Sequence, residues 1–183
     1  MSREKELQEI ASEIASCTKC PLHASRTNPV PGEGSVNAKV MFIGEAPGAE
    51  EDRTGRPFVG RSGELLRDLI RGIDLSEQEV FITSVLKSRP PNNRTPQKAE
   101  VEACIGYLDR QIQVIHPKVI VLLGGVAIST MIGPWPLNEA HGKFHEANGR
   151  TYFLTYHPAA ALRFLPTKDV MREDFARLRN ELT

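Results

Sequence analysis

A Gly/Pro-rich turn after an apolar run is the part of the sequence whose residue types could do chemistry. The apolar run over residues 39–43 leads into Gly44-Glu45-Ala46-Pro47-Gly48, and Phe58 follows shortly afterwards. This pattern is typical of a buried strand that delivers a loop to the carboxyl edge of a sheet, where open α/β folds bind ligands. Glycines let a flat ligand approach the backbone, while a carboxylate and an aromatic ring supply polar and stacking groups. The turn is therefore a candidate binding site.

Three cysteines form a second pattern with chemical potential. Cys17 and Cys20 have the Cys-x-x-Cys spacing that closes a small chelate, and the fold would have to bring Cys104 to them. Thiolates are the ligands that iron–sulfur clusters require, and an odd number of cysteines argues against a disulfide framework. The sequence favours a metal or cluster site. Ordinary structural cysteines, a zinc site and a site that has lost its metal stay open as alternatives.

Composition limits the class of protein. The chain has 183 residues, 40% of them hydrophobic, which is enough for one domain with a core. Lys plus Arg equals Asp plus Glu at 23 each, which argues against a histone-like coating of nucleic acid but leaves room for a local basic rim. No apolar run is long enough to cross a membrane, and residues 1–6 lack a signal-peptide core. We therefore expect a cytoplasmic protein.

Hydrophobic periodicity predicts the elements that would position these residues. Helices are expected over residues 3–16, after Ser62, after Thr95, after Gly124-Gly125 and over residues 172–182. Strands are expected over residues 39–44, 80–86, 119–124 and 152–156. Alternating strands and helices indicate an α/β class, a three-layer α/β/α fold with a four-stranded, largely parallel central sheet. We expect a single domain over residues 1–183.

Taken with Tyr156-His157-Pro158, these motifs resemble the uracil-DNA glycosylases, specifically the iron–sulfur class called family 4, over roughly residues 13–165. The resemblance implies a monofunctional DNA glycosylase that hydrolyses the N-glycosidic bond of uracil in DNA and leaves an abasic site. It also implies that Phe58 stacks on the base, that the backbone around Ala46 contacts a base oxygen and that His157 donates a hydrogen bond to O2.

Glu45 is the catalytic carboxylate that the motif implies, with Glu51 and Asp52 as weaker candidates for positioning the water. Cleavage leaves an anionic base and an oxocarbenium sugar. A neutral histidine donor stabilises the first, and a carboxylate beneath the sugar stabilises the second. Ala46 occupies the site of the water-activating Asp in the best-known uracil-DNA glycosylases, and family 4 shares this difference.

Two positions depart from the family pattern. Ser84 stands where the family usually has an Asn that pairs with uracil, so we expect uracil binding to weaken by about 1–3 kcal/mol and other deaminated bases to be admitted. Ser88 stands where the third cysteine would precede Arg-Pro-Pro. The resemblance implies an iron–sulfur cluster of the 4Fe–4S type on Cys17, Cys20 and Cys104, with Ser88, water or another group at the fourth iron.

The segment 157–164 resembles the family's wedge loop, which enters the minor groove beside the flipped base. Leu162 and Arg163 are the wedge candidates. Phosphate contacts are expected from five cations, namely Lys87, Arg89, Arg94, Lys168 and Arg172. The expected partner is uracil-containing DNA, double- or single-stranded, bound by a monomer associated with the nucleoid.

Two other functions fit part of the pattern. A damaged-base DNA-binding protein could keep the fold and pocket but lose turnover through Ser84 and Ser88. A flavodoxin-like nucleotide-binding domain would explain the α/β pattern, but no Gly-x-Gly-x-x-Gly follows the first strand. No lysine is placed by the motifs as a Schiff-base nucleophile, so lyase activity is not expected.

Overall fold

Six strands form one sheet in the computed structural model, which describes residues 2–183. The strands are β1 (Glu33–Gly34), β2 (Val40–Gly44), β3 (Val80–Ser84), β4 (Val119–Leu123), β5 (Lys143–Ala147) and β6 (Arg150–Thr155). Their order across the sheet is β1-β3-β2-β4-β6-β5. The four central strands are parallel to one another, and β1 and β5 pair antiparallel at the two edges.

The four central strands confirm the predicted parallel sheet, but the count of four was wrong. Strand β1 has only two residues, too short to give an alternating pattern. Strand β5 reads Lys-Phe-His-Glu-Ala and buries none of its residues fully, so it lacks an apolar signal. It forms a hairpin with β6 through Asn148-Gly149, both at positive φ, which is the turn chemistry that such hairpins favour.

Helices cover both faces of the sheet. They are α1 (Arg3–Ala15), α2 (Leu22–Ser25), α3 (Ala49–Thr54), α4 (Arg61–Gly72), α5 (Lys98–Ile115), α6 (Gly125–Ile132), α7 (Leu137–Ala140), α8 (Pro158–Arg163) and α9 (Leu165–Leu182). Helix α9 begins earlier than the predicted residue 172. The expected wedge loop is largely helical, because Pro158 at the first position favours helix and His157 caps its N-terminus.

Central strand β4 shows how the layers are held. All five of its residues are buried, and alternate side chains face opposite layers. Val121 packs with the apolar residues of α4 and α9, whereas Leu122 packs with those of α5 and α6. Helix α1 packs outside α5 through Ile10 and Ile14. The three-layer α/β/α arrangement is thus confirmed, and it fixes the carboxyl ends of the parallel strands at one edge.

Among the helices that the structure describes, none combines the length and apolar character needed to cross a membrane.

Candidate active site

The carboxyl ends of three parallel strands open into one cleft of about 490 Å³. Gly44 at the end of β2 pairs in register with Ser84 at the end of β3, and β6 leads to His157. Seven of the candidate site residues from the sequence line this cleft, namely Glu45, Ala46, Glu51, Phe58, Ser84, His157 and Arg163. Residues far apart in the chain therefore meet because parallel strands end together.

Phe58 forms the floor of the cleft and is only 6% exposed. Its backbone has a φ of 48°, a conformation that bulky residues rarely adopt, so the surroundings must hold it there. A Cβ on Gly44 would lie 2.5 Å from the Phe58 ring, and one on Gly63 would collide with the Phe58 carbonyl group. Arg67 Nε donates to the Phe58 carbonyl oxygen at 3.0 Å. Gly44 therefore leaves room for the Phe58 ring, and Gly63 leaves room for the Phe58 backbone.

His157 is held as a neutral hydrogen-bond donor. Its Nδ1 accepts from the Ala159 backbone N–H at 3.1 Å, so the proton of the neutral ring is on Nε2. Burial lowers the pKa of His157 to about 4, with the charge of Arg163 acting in the same direction and that of Glu51 opposing it. The His157 and Phe58 rings lie 5.6 Å apart between centroids. At neutral pH the ring therefore presents a fixed N–H beside the aromatic floor.

The three candidate carboxylates have different surroundings. Glu45 is half-buried, and desolvation raises its pKa. Among residues 2–183 its side chain makes no hydrogen bond. Glu51 also lines the cleft, but it accepts from the backbone N–H groups of Gly48, Val59 and Gly60 and so ties the loop together. Glu45 is thus the carboxylate with free oxygens.

Asp52 was the wrong choice as a water-positioning candidate. Its side chain is buried outside the cleft, and its Oδ1 accepts from the backbone N–H groups of Thr27 and Asn28 at 2.8 and 3.4 Å. A carboxylate that satisfies two buried donors in this way stabilises the loop rather than a reacting water.

Ser84 lies at the base of the cleft with its hydroxyl close to Gly44. The hydroxyl makes no side-chain hydrogen bond within the part of the chain that the structure describes, so it can face a ligand. Sequence reasoning missed three other polar residues that line the cleft, namely Ser62, Asn93 and Thr95. The signal for the last two was their position in the Pro-rich loop that follows β3.

The three cysteines and Ser88 line a second, much smaller cavity. Cys17 follows α1, Cys20 precedes α2, and Cys104 comes from α5. No three His, Cys, Asp or Glu side chains in residues 2–183 converge as a site for a single metal ion would require. A cluster spreads its thiolates over several irons, so they need not converge on one point.

The lining of this cavity suits an anionic, thiolate-bound group. It contains the cations Lys19 and Arg26, the buried Lys87, whose pKa is lowered by burial to about 7, and no carboxylate. Burial raises the pKa of the Cys104 thiol, while a backbone hydrogen bond from Lys87 and the charge of that lysine oppose this effect. Ser88 Oγ accepts from Arg26 Nη1 at 3.0 Å. Three soft cysteine sulfurs and one hard serine hydroxyl therefore surround the cavity. This set of donors fits an iron–sulfur cluster in which one iron has an atypical ligand.

The α8–α9 junction carries a group of exposed apolar side chains beside the cleft. Leu162 is 39% exposed, and the sequence analysis did not select Phe164 or Leu165, which are 64% and 73% exposed. Arg163 is also exposed and lines the cleft. The candidate wedge is therefore broader than the two residues chosen from the sequence.

The five predicted phosphate contacts do not form one patch. Lys87 was wrong, because it is fully buried and its Nζ donates to Thr83 Oγ1 and Gln111 Oε1 at 2.5 and 2.8 Å. Arg94 donates two hydrogen bonds to buried Glu100.

The other three cations are Arg89, Lys168 and Arg172, of which Arg172 is exposed and the other two are half-buried. Lys168 and Arg172 line a groove between α4 and α9, away from the cleft. Arg89 lies at the cleft rim, where its Nε donates to Asn93 Oδ1 at 2.8 Å. Arg89 and Arg163 are therefore the cations best placed to meet a bound DNA backbone.

Comparison with known proteins finds similarity to uracil-DNA glycosylases both in a family model and in individual relatives. The family model of the Uracil DNA glycosylase superfamily matches residues 31–181. The chain is 45% identical to a type-4 uracil-DNA glycosylase of Sulfurisphaera tokodaii, over 94% of this chain and 83% of the relative. It is 46% identical to that of Saccharolobus solfataricus, over 97% and 87%, and 42% identical to that of Pyrobaculum aerophilum, over 94% and 90%.

Proposed function

The chain belongs to the uracil-DNA glycosylase superfamily, and on this premise we propose that it hydrolyses the N-glycosidic bond of uracil in DNA and leaves an abasic site. The observation that carries the proposal is the meeting in one cleft of an aromatic floor, a neutral histidine donor and a free carboxylate. These are Phe58, His157 and Glu45. The aromatic ring suits the flat base, the neutral donor suits the negative charge that builds on the base, and the carboxylate suits the positive charge that builds on the sugar.

His157 stabilises the leaving base. As the bond from N1 to C1′ lengthens, its electron pair moves onto uracil and negative charge builds on O2. The fixed Nε2–H donates to that oxygen, while Phe58 supports the ring. A preorganised donor of this kind contributes about 10²–10³ to the rate. Because the pKa of His157 is about 4, the ring is already neutral at physiological pH.

Glu45 acts on the sugar side. Its carboxylate stabilises the positive charge at C1′ and orients the water whose oxygen bonds to C1′. The proton of that water leaves through the carboxylate to solvent, and the departing uracil keeps the electron pair of the broken bond. Glu51 supports this step indirectly by fixing the loop around Gly48.

The surface around the cleft suits DNA with an extruded base. The apolar junction Leu162, Phe164 and Leu165 would fill the space that the flipped nucleotide leaves, which offsets an unstacking cost of a few kcal/mol. Arg163 and Arg89 would contact phosphates. Among the described residues the cleft lining contains no lysine, which supports a monofunctional glycosylase over a Schiff-base lyase.

A 4Fe–4S cluster is the cofactor that we propose for the smaller cavity, held by Cys17, Cys20 and Cys104 with an atypical ligand at the fourth iron. When bound, the cluster supplies a structural crosslink between the end of α1, helix α5 and the loop after β3. The cleft chemistry described above requires no electron transfer.

We further propose that residues 1–183 act as one domain and as a monomer on DNA in the cytoplasm, at the nucleoid. The support is that the residues lining the cleft all come from strand ends, loops and helices of this chain at the carboxyl edge of one sheet, so no second copy is needed to complete the site.

A second candidate is a damaged-base binding protein with weak turnover, which Ser84 favours because a hydroxyl reads the base less firmly than an amide. Incubation of the purified protein with a uracil-containing oligonucleotide separates the two functions. We expect release of free uracil and an alkali-labile strand. Tight binding to that oligonucleotide without uracil release would support the second candidate and contradict the first.

A further inference from the structure

The Ser84 hydroxyl alone cannot identify the hydrogen-bonding groups along the edge of a base. An amide presents a donor and an acceptor in a fixed order, whereas a hydroxyl can turn to donate or to accept. A hydroxyl alone therefore cannot distinguish a carbonyl from an amine at the same position. If the cleft selects deaminated bases, another group should supply a donor that does not turn.

Asn93 has the features of such a donor. It lines the same cleft as Ser84, and it lies in the short Pro91–Asn93 turn that follows β3. Its backbone φ is 55°, a conformation that asparagine tolerates better than most residues. Asn93 is exposed in the free protein, so a DNA ligand would cover it.

The orientation of the Asn93 amide is fixed by Arg89. Arg89 Nε donates to the Asn93 side chain at 2.8 Å, and a guanidinium carries donors only, so the atom facing it must be Oδ1. The amide nitrogen Nδ2 then has no partner among residues 2–183. The cleft thus gains an N–H donor that cannot flip to present its oxygen without losing the contact with Arg89.

We propose that Asn93 is a specificity-determining residue, whose Nδ2–H donates to the exocyclic carbonyl that deamination creates, O4 of uracil. Cytosine carries an amine at this position, so it would oppose donor to donor. Hypoxanthine and xanthine carry a carbonyl at the corresponding purine position. This inference rests on the proposed glycosylase function and explains how a cleft with Ser84 rejects cytosine and adenine, the two undamaged bases that carry an amine at this position.

Replacement of O4 by sulfur tests the contact, because sulfur is a weak acceptor. Single-turnover excision is measured on matched oligonucleotides with uracil or 4-thiouracil, for wild type, Asn93→Ala and Asn93→Asp. Asn93→Asp keeps the size, the tolerance of positive φ and the acceptor for Arg89, but removes the donor. We expect the ratio of uracil to 4-thiouracil excision to fall about tenfold in both variants. Comparing ratios cancels the different leaving-group reactivity of the two bases.

Asn92→Ala is the matched control, because Asn92 has the same φ in the same turn but does not line the cleft. Its ratio should equal that of wild type. Equal losses on both bases in the Asn93 variants would mean that Asn93 contacts the DNA backbone, and unchanged rates would mean that it contacts no DNA. Either result overturns the proposal. If wild type excises neither base, the proposed function fails, and the same ratio measured from Kd still decides the role of Asn93.

Discussion

Two residues of the cleft have pKa values displaced in opposite directions by the same cause. Desolvation disfavours the charged form of each group, so it lowers the pKa of His157 and raises that of Glu45. The histidine is thereby kept neutral as a donor. The carboxylate is made more basic and better able to accept a proton from water.

These displacements predict the pH dependence of uracil excision. The rate requires ionised Glu45 and neutral His157, so it should rise with pH through both pKa values. The higher of the two pKa values sets the position of the acid limb of the pH–rate profile. The pKa of Glu45 is raised above its ordinary value of 4.5, whereas that of His157 is about 4. Glu45→Gln should slow excision at least tenfold and move the acid limb down to about 4, in single-turnover rates measured against pH.

Glu50→Gln is the control for this experiment, because Glu50 is exposed on α3 and paired with Arg53. It should leave the profile unchanged. An acid limb that stays in place in Glu45→Gln would remove Glu45 from the chemistry.

A second prediction for a single residue concerns Ser84. Ser84→Asn supplies the missing amide, so uracil excision should strengthen by a factor equivalent to about 1–3 kcal/mol and the range of bases should narrow. The measurement compares kcat/KM on uracil, hypoxanthine and xanthine. Ser62→Asn makes the same change elsewhere in the cleft and should not reproduce the effect. Unchanged preferences in Ser84→Asn would mean that Ser84 does not face the base edge.

At the scale of elements, helix α4 and the end of β2 act together to hold Phe58. The close approach of Gly63 to the Phe58 backbone lets the loop lie flat on the helix. The platform is therefore built by the packing of an element and not by Phe58 alone.

Gly63→Ala tests this packing. The added methyl group would displace the Phe58 loop, so we expect a loss of about 1–3 kcal/mol in the free energy of unfolding and a larger fall in excision than in DNA affinity. Gly72→Ala in the same helix has no atom within 4 Å of the added Cβ, and alanine favours helix over glycine, so it should lower neither quantity. Wild-type rates in Gly63→Ala would show that the platform tolerates movement.

The strands that are continuous apolar runs could be predicted from the sequence. Features that depend on contacts with distant parts of the chain could not. Strands β2, β3, β4 and β6 are apolar runs, and the register of parallel strands then brings Glu45, Ser84 and His157 to one edge. The burial of Lys87 could not be predicted, because lysine is almost always exposed and its acceptors lie elsewhere in the chain. The contact between Arg89 and Asn93 also depends on the fold of a turn.

At the scale of the whole molecule, the neutral net charge is compatible with DNA binding because Arg89, Arg163 and the exposed apolar side chains of the α8–α9 junction lie beside the cleft. The smaller cavity joins parts of the chain that are distant in sequence, from α1 to α5 and the loop after β3. A cluster there would stabilise the fold in the same way as a crosslink.

Ser88→Cys tests the cluster. The purified wild-type protein should be brown, and the variant should contain more iron and unfold at a higher temperature, because a fourth thiolate binds iron better than a hydroxyl. Ser129→Cys adds a thiol on α6, away from the cavity, and should change neither quantity. A colourless wild-type protein with stoichiometric zinc would contradict the proposed cofactor.

The central claim is that the cleft between β2, β3 and β6 excises uracil through Glu45 and His157. Its most direct measurement is single-turnover release of uracil from a DNA oligonucleotide by wild type, Glu45→Ala and His157→Ala, with folding checked by circular dichroism. We predict that wild type releases uracil and that each folded variant is at least tenfold slower, with about 10²–10³ for the loss of the histidine donor. Release at the wild-type rate by both folded variants would contradict the account.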